Sequence, residues 1–550
     1  MTSPSPSPPP GGRGVFEPFG YPAFTVMWLA TLASMTGTWM HEVAAGWLMA
    51  TLATDPRMVA LVQTATMLPG LLFVLPAGAL ADLFDRRRLL ILVRLVMSIV
   101  ALALGYAALA GRISPWGLLA FTFLLGMGNA FTAPVWQAIV PQMVPRPVLA
   151  QAISLNSLAV NFSRALGPAL AGALIASVGF GAPFLVNAVA YLALVAAVVS
   201  WKPPEVRRSE LPSEGLVSAM RAGLRYVRSS VPVKSTLVRA VTFLVPASAY
   251  WALMPLVVRD QLGGGAQLYG LMVGSVGAGA VVGAVALPFL RAALGADRLV
   301  LAASLGTVLA LAGFSVASQP AVAGAAAMLA GFCWISALSS MNVSMQMALP
   351  EWVRGRGLSV YHMSFFGSMA VGSYLWGHVA GWLGVPATLA VAGGVALLAM
   401  PFSLRWRLLL GADLDLSPSV RWPEPVPAWR FPADRGPVLI TVEYRVPESR
   451  RERFLGLLEE LEHCRRRGGA VAWGIFQDVA DPGRFVETFL EVSWVEHLRH
   501  HERVTAADRV ILDAAAQCHE GPGGPPVTHL VRPGPGDPVG SSGDGGDAGR

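Results

Sequence analysis

Lysine is almost missing from this chain: among its 550 residues only Lys202 and Lys234 carry an ammonium side chain. No Gly-x-x-x-x-Gly-Lys-Ser/Thr loop is present either, so the phosphate cradle of an ATP-driven pump is not encoded. Charge of both signs is scarce, at 13% of residues, about half the share found in soluble domains. The net charge of +7 comes almost wholly from arginine. Those arginines sit in short loops rather than in one basic patch, which argues against nucleic acid as a partner. Three cysteines, Cys333 in an apolar run and Cys464 and Cys518 in the polar C-terminal part, provide neither a disulfide framework nor a zinc-ligand spacing. Met1 to Gly20 are rich in Pro, Ser and Gly and lack the basic-then-apolar order of a cleavable signal, so the first hydrophobic helix is expected to insert itself.

Apolar residues, by contrast, make up 54% of the chain. They gather into runs near the roughly 20 residues needed to cross a hydrocarbon core about 30 Å thick. About twelve spans are predicted. The first six are Phe24 to Leu52, Met58 to Ala81, Leu89 to Leu109, Trp116 to Ile139, Ala150 to Val178 and Ala182 to Val199. The second six are Thr236 to Val258, Tyr269 to Leu290, Leu299 to Ala317, Ala321 to Ala348, Leu358 to Leu383 and Ala387 to Leu404. The expected organisation is a disordered N-terminus (1–20), a six-helix bundle (21–201), a polar linker (202–235), a second bundle (236–410), a Pro-rich linker (411–435), a soluble domain (436–532) and a disordered tail (533–550). Loops with Arg86, Arg87, Arg88, Arg146, the central linker, Arg291, Arg298, Arg354, Arg356, Arg405 and Arg407 alternate with loops that hold little more than Arg57, Arg112 and Arg259. Because positive loops stay in the cytoplasm, both termini are expected there, in a multi-pass protein of the inner (plasma) membrane.

A weak repeat relates the two bundles. Gly126-Met-Gly leads to Val140-Pro-Gln-Met-Val-Pro-Arg146, and Gly331-Phe-Cys leads to Met347-Ala-Leu-Pro-Glu-Trp-Val-Arg354, each before the fifth span of its half. The polar C-terminal segment alternates in the manner of strand, helix, strand, strand, helix, strand. Its strands are Val438 to Tyr444, Ala470 to Gln477, Phe485 to Val492 and Val527 to Val531, and its helices are Arg450 to Arg466 and Trp494 to Gln517.

The most specific motif is Gly78-Ala-Leu-Ala-Asp82-Leu-Phe-Asp85-Arg86-Arg87-Arg88. It resembles the signature loop of the major facilitator superfamily, matching at Gly78, Asp82, Arg86 and Arg87 and departing at Leu83 and Asp85. The glycine permits close helix approach, the aspartate can oppose a helix N-terminus, and the arginines can anchor at phosphates or carboxylates. The resemblance implies a conformational latch and a twelve-helix fold of two six-helix bundles. Arg164-Ala-Leu-Gly167-Pro168-Ala-Leu-Ala-Gly172 in the fifth span is similar to the Gly-Pro motif of that superfamily's antiporters, which implies export. General helix packing is the plainer account of these same residues.

Charges within apolar runs cost roughly 2.5 to 3.5 kcal/mol on insertion scales, so they tend to be functional or paired. Glu42, beside His41 in the first span, and Arg164 in the fifth are the clearest. Two readings stand: Glu42 exchanges the coupling proton with His41 or Arg164 tuning it, or Glu42 and Arg164 form a structural pair. Gln63, Trp136, Gln137, Asn156, Asn161, Asn342, Gln346, Tyr361 and His362 add amides and rings around the presumed cavity, a lining suited to an amphipathic organic substrate.

The whole pattern, carried by Gly37-Thr-Trp-Met, Ala81-Asp-Leu-Phe-Asp-Arg-Arg, Ala169-Leu-Ala-Gly and the appended domain, is similar to the enterobactin-exporter and secretion-effector branch of the superfamily. That resemblance implies siderophore or drug-like cargo, exchanged for protons. The C-terminal segment, with Trp494-Val-Glu-His497-Leu-Arg-His500-His501, resembles the ferredoxin-like dimeric α+β barrel of antibiotic-biosynthesis monooxygenases. A homodimer through this domain is implied, and a membrane-anchored, cofactor-independent oxygenase is the alternative function. No cofactor, metal or catalytic residue is predicted.

Overall fold

The computed structural model describes residues 16–139, 143–145, 148–201, 216–408, 415, 419, 429, 431–432 and 434–534. The expected disordered N-terminus up to residue 15, Arg146, Arg207, Arg208, most of the Pro-rich linker (Pro418, Pro423, Pro425 and Pro427 included) and the tail from 535 lie outside them. The chain divides into two compact units.

The first unit is helical. Its first six helices are α1 (Pro22–Leu52), α2 (Pro56–Leu83), α3 (Arg86–Leu109), α4 (Pro115–Ile139), α5 (Leu149–Ser177) and α6 (Gly181–Ser200). After α7 (Leu216–Ser229) follow α8 (Val231–Leu256), α9 (Ala266–Ser315), α10 (Pro320–Met347), α11 (Glu351–Leu383) and α12 (Val385–Leu404). Among the described residues, eight helices are long and apolar enough to cross a membrane. Prolines at the first turns of α1, α2 and α12 suit positions whose N–H has no intrahelical partner. The expected eighth and ninth spans are joined in α9, a helix of 50 residues interrupted at Gly295, where φ is 73°. Only glycine takes that conformation without strain, so the chain breaks direction there.

Apolar neighbours cannot attract helices strongly within lipid, so close backbone approach must do so. Helix α5 runs against α9, α1 against α5 and α6, α2 against α4, and α3 against α6. At the α5–α9 crossing a Cβ on Gly172 would lie 2.8 Å from the Ala266 carbonyl oxygen, and one on Gly270 would lie 2.5 Å from that of Pro168. At the start of α3, the Asp85 side chain accepts the Arg88 N–H at 2.8 Å, making it the helix cap. Arg87 donates from Nε to the Val198 carbonyl at 3.0 Å and also reaches Val199, filling last-turn acceptors of α6. A related clamp joins the second half. Buried Arg239 of α8 pairs with Asp297 at 3.0 Å and donates to the Trp406 carbonyl at 2.9 Å, while Asp297 accepts the Leu408 N–H at 2.9 Å.

The second unit holds α7, the turn between α10 and α11, and the C-terminal segment. The polar linker is thus helical where described. Tyr226 of α7 donates to the Ala348 carbonyl at 3.1 Å and lies edge-on to Trp352. Strands β1 (Val438–Arg445), β2 (Ala472–Gln477), β3 (Arg484–Glu491) and β4 (Val527–Val531) form one antiparallel sheet in the order β2-β3-β1-β4. The two expected helices are each divided: α13 (Glu448–Gly456) and α14 (Leu458–Gly468), then α15 (Trp494–Arg503) and α16 (Ala506–Ala516). The second division has a clear cause, because Val504 is extended and Thr505 with Asp508 makes a capping box that starts a new helix.

Alternation along β3 places Phe485, Glu487, Phe489 and Glu491 on its buried face. Glu487 is fully buried and is held by Arg465 at 2.8 Å, the Tyr444 hydroxyl at 3.0 Å and the Trp473 indole at 3.0 Å. Burial alone would raise its pKa, but Arg465 and these hydrogen bonds hold it below the usual carboxylate value.

Two outcomes are expected. Gly270→Leu should lose about 1–3 kcal/mol of stability through overpacking at the α5–α9 crossing, read by reversible unfolding in mixed micelles, and wild-type stability would show that the helices do not touch there. Glu487→Gln, which takes away the carboxylate charge facing buried Arg465, should cost about 3–5 kcal/mol in the C-terminal domain. Because the folded pKa of Glu487 is depressed, its stabilisation is complete above the unfolded value of 4.5 and is lost as pH falls through the lower folded value. Hydrogen exchange in β1 and β3 of the full chain should therefore accelerate below that pH in the wild type and respond far less in Glu487→Gln.

Candidate functional site

Trp39, Glu42 and Gly46 recur at helical spacing and occupy one face of α1. That face meets α5 and α9. The Arg164 guanidinium of α5 lies 5.6 Å from the centroid of the Trp39 ring, a cation–π distance. Glu42 and Arg164 attract one another across the gap rather than as a direct ion pair, and Tyr250 of α8 also lies in the field of Arg164. Gly46 makes room for α9: a Cβ there would stand 2.8 Å from the Tyr269 hydroxyl, and Trp47 stacks on Tyr269 at 5.7 Å. Arg164 Nε is buried without a hydrogen-bond partner. An unsatisfied charged donor at such depth is the kind of group that a substrate, water or carboxylate completes.

His41 and Glu42, adjacent in sequence, diverge by about 100° around the helix. His41 is buried against the edge of Phe184 of α6 at 5.1 Å, with both ring nitrogens unpartnered. Glu42 alone of the two therefore faces α5 and α9. The Gly-Pro motif of α5 contributes through shape: a Cβ on Gly167 would lie 3.0 Å from the Thr36 carbonyl oxygen of α1, while Gly172 meets α9. Pro168 is buried within the helix.

An aromatic chain completes the site. Trp39 approaches Trp251 of α8 at 6.4 Å, Trp251 meets Trp334 of α10 edge-on at 5.5 Å, and Trp334 meets Phe365 of α11 at 6.1 Å. Apart from Trp39, noted within a motif, these rings carry no sequence signal, because aromatic residues are ordinary constituents of apolar helices. Aromatic chains of this kind offer flat apolar contact with a few polar tips, fitting an amphipathic organic molecule.

The predicted cavity residues are scattered by comparison. Gln63 is half-buried on α2, and Trp136 is half-buried on α4 with its indole N–H unpartnered. Asn156 and Asn161 are half-buried on α5, and Asn161 donates back to the Ser157 carbonyl at 2.9 Å. On α10, Asn342 is half-buried and Gln346 exposed; on α11, Tyr361 is buried and its ring lies 5.8 Å from that of His362. The side chains of Gln137, Gly78 and Asp82, which occupy α4 and α2, are outside the described residues. Of the latch, Arg86 and Arg87 begin α3, and Arg87 pins α6 as described above.

At the end of the bundle away from the chain termini, the two helix sets are held together. Arg259, on a π-helical turn after α8 (Val257–Gln261), reaches the carbonyls of Ala50 and Ala53, and Arg57 lies close to Gly377 and Gly381 of α11. Deeper, the Thr64 hydroxyl donates to the Ala370 carbonyl at 3.2 Å. In the C-terminal domain, Trp494 packs beside His497, while His497 and His500 both bond Glu491, so these helix residues serve the domain's own interior.

Comparison with known proteins agrees with this architecture. The family described as transmembrane secretion effector matches residues 13–534. The chain is 23% identical to the staphyloferrin A transporter of Staphylococcus aureus, over 65% of this chain and 89% of the relative. It is 28% identical to the enterobactin exporter EntS of Citrobacter koseri, over 74% and 95%. Among solved structures, a bacterial homologue of the iron transporter ferroportin superposes with a TM-score of 0.53 at 16% identity, covering 70% of this chain and 98% of that one. A bacterial homologue of the lysosomal transporter Spinster, in an inward-facing state, does so with a TM-score of 0.54 at 15% identity, covering 72% and 97%. These relatives are transporters, which sets aside the oxygenase alternative. The chain belongs to the transmembrane secretion effector family, multi-pass transporters of the major facilitator superfamily in its siderophore-transporter branch.

Proposed function

We propose that this protein is a proton-coupled exporter of small amphipathic organic molecules of the siderophore or drug-like class. The observation that carries the reading is the buried Glu42 and Arg164 couple beside Trp39, set where α1, α5, α8 and α9 meet. A carboxylate that can lose its charge next to an unsatisfied guanidinium offers a way to alternate proton and cargo at one place. Two relatives, an enterobactin exporter and a staphyloferrin A transporter, support the cargo class, and the first supports the direction.

In this reading the membrane part makes twelve crossings in two sets of six, with α9 counted as two spans on either side of Gly295. The length of α9, 50 residues against the roughly 20 that cross a bilayer, supports the division. The arginine asymmetry of the loops supports a plasma-membrane protein with both termini in the cytoplasm. With that orientation, the Arg259 and Arg57 contacts close the outer end, an inward-facing state. The C-terminal domain reads as a ferredoxin-like unit on the strength of its strand order. Its sheet carries Phe476 at 63% and Leu530 at 49% exposure, which supports pairing of two chains through this domain. Asp82, Gly78, Arg86 and Arg87 form the conformational latch in this scheme.

In proteoliposomes challenged with a siderophore and drug panel, the wild type should move at least one member against its gradient when a pH difference is imposed. Glu42→Gln should bind that cargo yet show only the movement seen without the pH difference; full pH-driven accumulation by this variant would refute coupling at Glu42. A wild type that moves no member would refute the exporter reading itself. Arg87→Ala, which releases the last turn of α6, should insert normally but transport about tenfold more slowly, since a charged hydrogen bond contributes about 1.5–3 kcal/mol. Unchanged initial rates would remove Arg87 from the latch.

A further inference from the structure

Three histidines from two elements of the C-terminal domain converge on one spot. His497 and His501 are separated by one turn of α15 and share a face. His529 comes from β4, where the register places it opposite Ile440, a residue of the sheet's buried face. One ring nitrogen from each of the three lies within 4.8 Å of the other two. Nε2 of His497 stands 3.2 Å from Nε2 of His501, and the His497 and His529 rings are 4.7 Å apart between centroids. Two imidazoles bound to one tetrahedral ion at about 2.0–2.1 Å have their nitrogens about 3.3 Å apart, so the first pair already has that spacing.

The proton arrangement agrees. Fully buried Glu491 holds Nδ1 of His497 at 2.9 Å, which places the proton on Nδ1 and leaves the Nε2 lone pair directed at the cluster. A carboxylate behind a ligating imidazole is the usual orienting partner at such centres. The other Glu491 oxygen is bonded by Nδ1 of His500, whose Nε2 lies against Gly468 rather than in the cluster. Trp494 packs beside both His497 and His529, fixing their rings.

We propose that His497, His501 and His529 bind one divalent transition-metal ion, with Glu491 positioning His497. An all-imidazole set selects ions of the zinc, cobalt, nickel and copper kind over magnesium or calcium, which require oxygen ligands. Three protein ligands leave a fourth position for water or for an oxygen donor on a small molecule.

The test uses the full chain, without a histidine tag, purified in detergent and stripped with a chelator. Titration with Co²⁺ should produce visible ligand-field bands that saturate at one ion per chain, and Zn²⁺ should displace them. His501→Ala and His529→Ala should each weaken Zn²⁺ binding about tenfold or more, as should Glu491→Gln acting from behind His497. His519→Ala, a histidine of the same domain outside the cluster, should bind as the wild type does. Should a ligand variant unfold, electron spin-echo spectroscopy of the Cu²⁺-loaded wild type still decides, because the signal counts coordinated imidazoles. Three imidazoles support the site. Absent Co²⁺ bands, an affinity that His529→Ala leaves unchanged, or fewer than three imidazoles would overturn it and leave a hydrogen-bonded histidine pair.

Discussion

Helices α5 and α9 touch backbone to backbone, and that approach sets what can stand between the two helix sets. No hydrophobic force draws helices together in lipid, so contact depends on small residues that let main chains meet. Gly172 and Gly270 supply one such point, and a Cβ on Gly277 of α9 would stand 2.8 Å from the Arg164 carbonyl oxygen, a second point two turns away. The same turn of α5 therefore carries both a main-chain contact with α9 and the guanidinium over Trp39. A bulkier crossing would separate Arg164 from the ring and the carboxylate that offset its charge in an apolar medium.

The two halves solve a common problem at corresponding places, each with an arginine that satisfies carbonyls at or just beyond the end of its last helix. In the first, Arg87 at the start of α3 satisfies carbonyls in the last turn of α6. In the second, Asp297, just after the Gly295 break, accepts a backbone N–H beyond the end of α12 and holds Arg239, which in turn satisfies the Trp406 carbonyl. Helix C-terminal ends leave carbonyls unpaired, so a cation serves there in both halves, and Asp297 acts by holding Arg239 in place. Asp85 shows the same economy locally, because the residue that departs from the superfamily signature is the one that caps α3.

Helix positions in the apolar part were legible because apolar run length is a bulk property that survives uncertainty in any one residue. The four strands were legible for a similar reason, since alternation fixes them within a residue or two. Less visible were features decided by one residue or by distant partners. The Thr505 and Asp508 capping box divides an otherwise continuous helical pattern, and Gly295 bends a helix that hydropathy alone would end. Glu42 and Arg164 were conspicuous as charges, yet whether they meet depends on helix rotation, which also sends His41 toward α6. Trp251, Trp334 and Phe365 looked like ordinary apolar positions until packing aligned them with Trp39. The His497 and His501 spacing could be read from the chain, but His529 joins them only through the β1–β4 register.

Period-two alternation places two carboxylates, Glu487 and Glu491, on the inner face of β3 among Phe485 and Phe489. Neither can remain ionised there without a partner, so each dictates where a helix must lie. Glu487 fixes α14 through Arg465, and Glu491 fixes α15 through His497 and His500. Apolar packing alone would let α15 slide or rotate on the sheet at little cost, whereas two hydrogen bonds to one carboxylate do not. Its rotation being fixed, α15 presents Nε2 of His497 toward β4 and carries Arg503 on the Trp352 ring at 4.7 Å. One buried strand carboxylate thus determines both the histidine cluster and the contact that this helix makes with Trp352 in the first turn of α11.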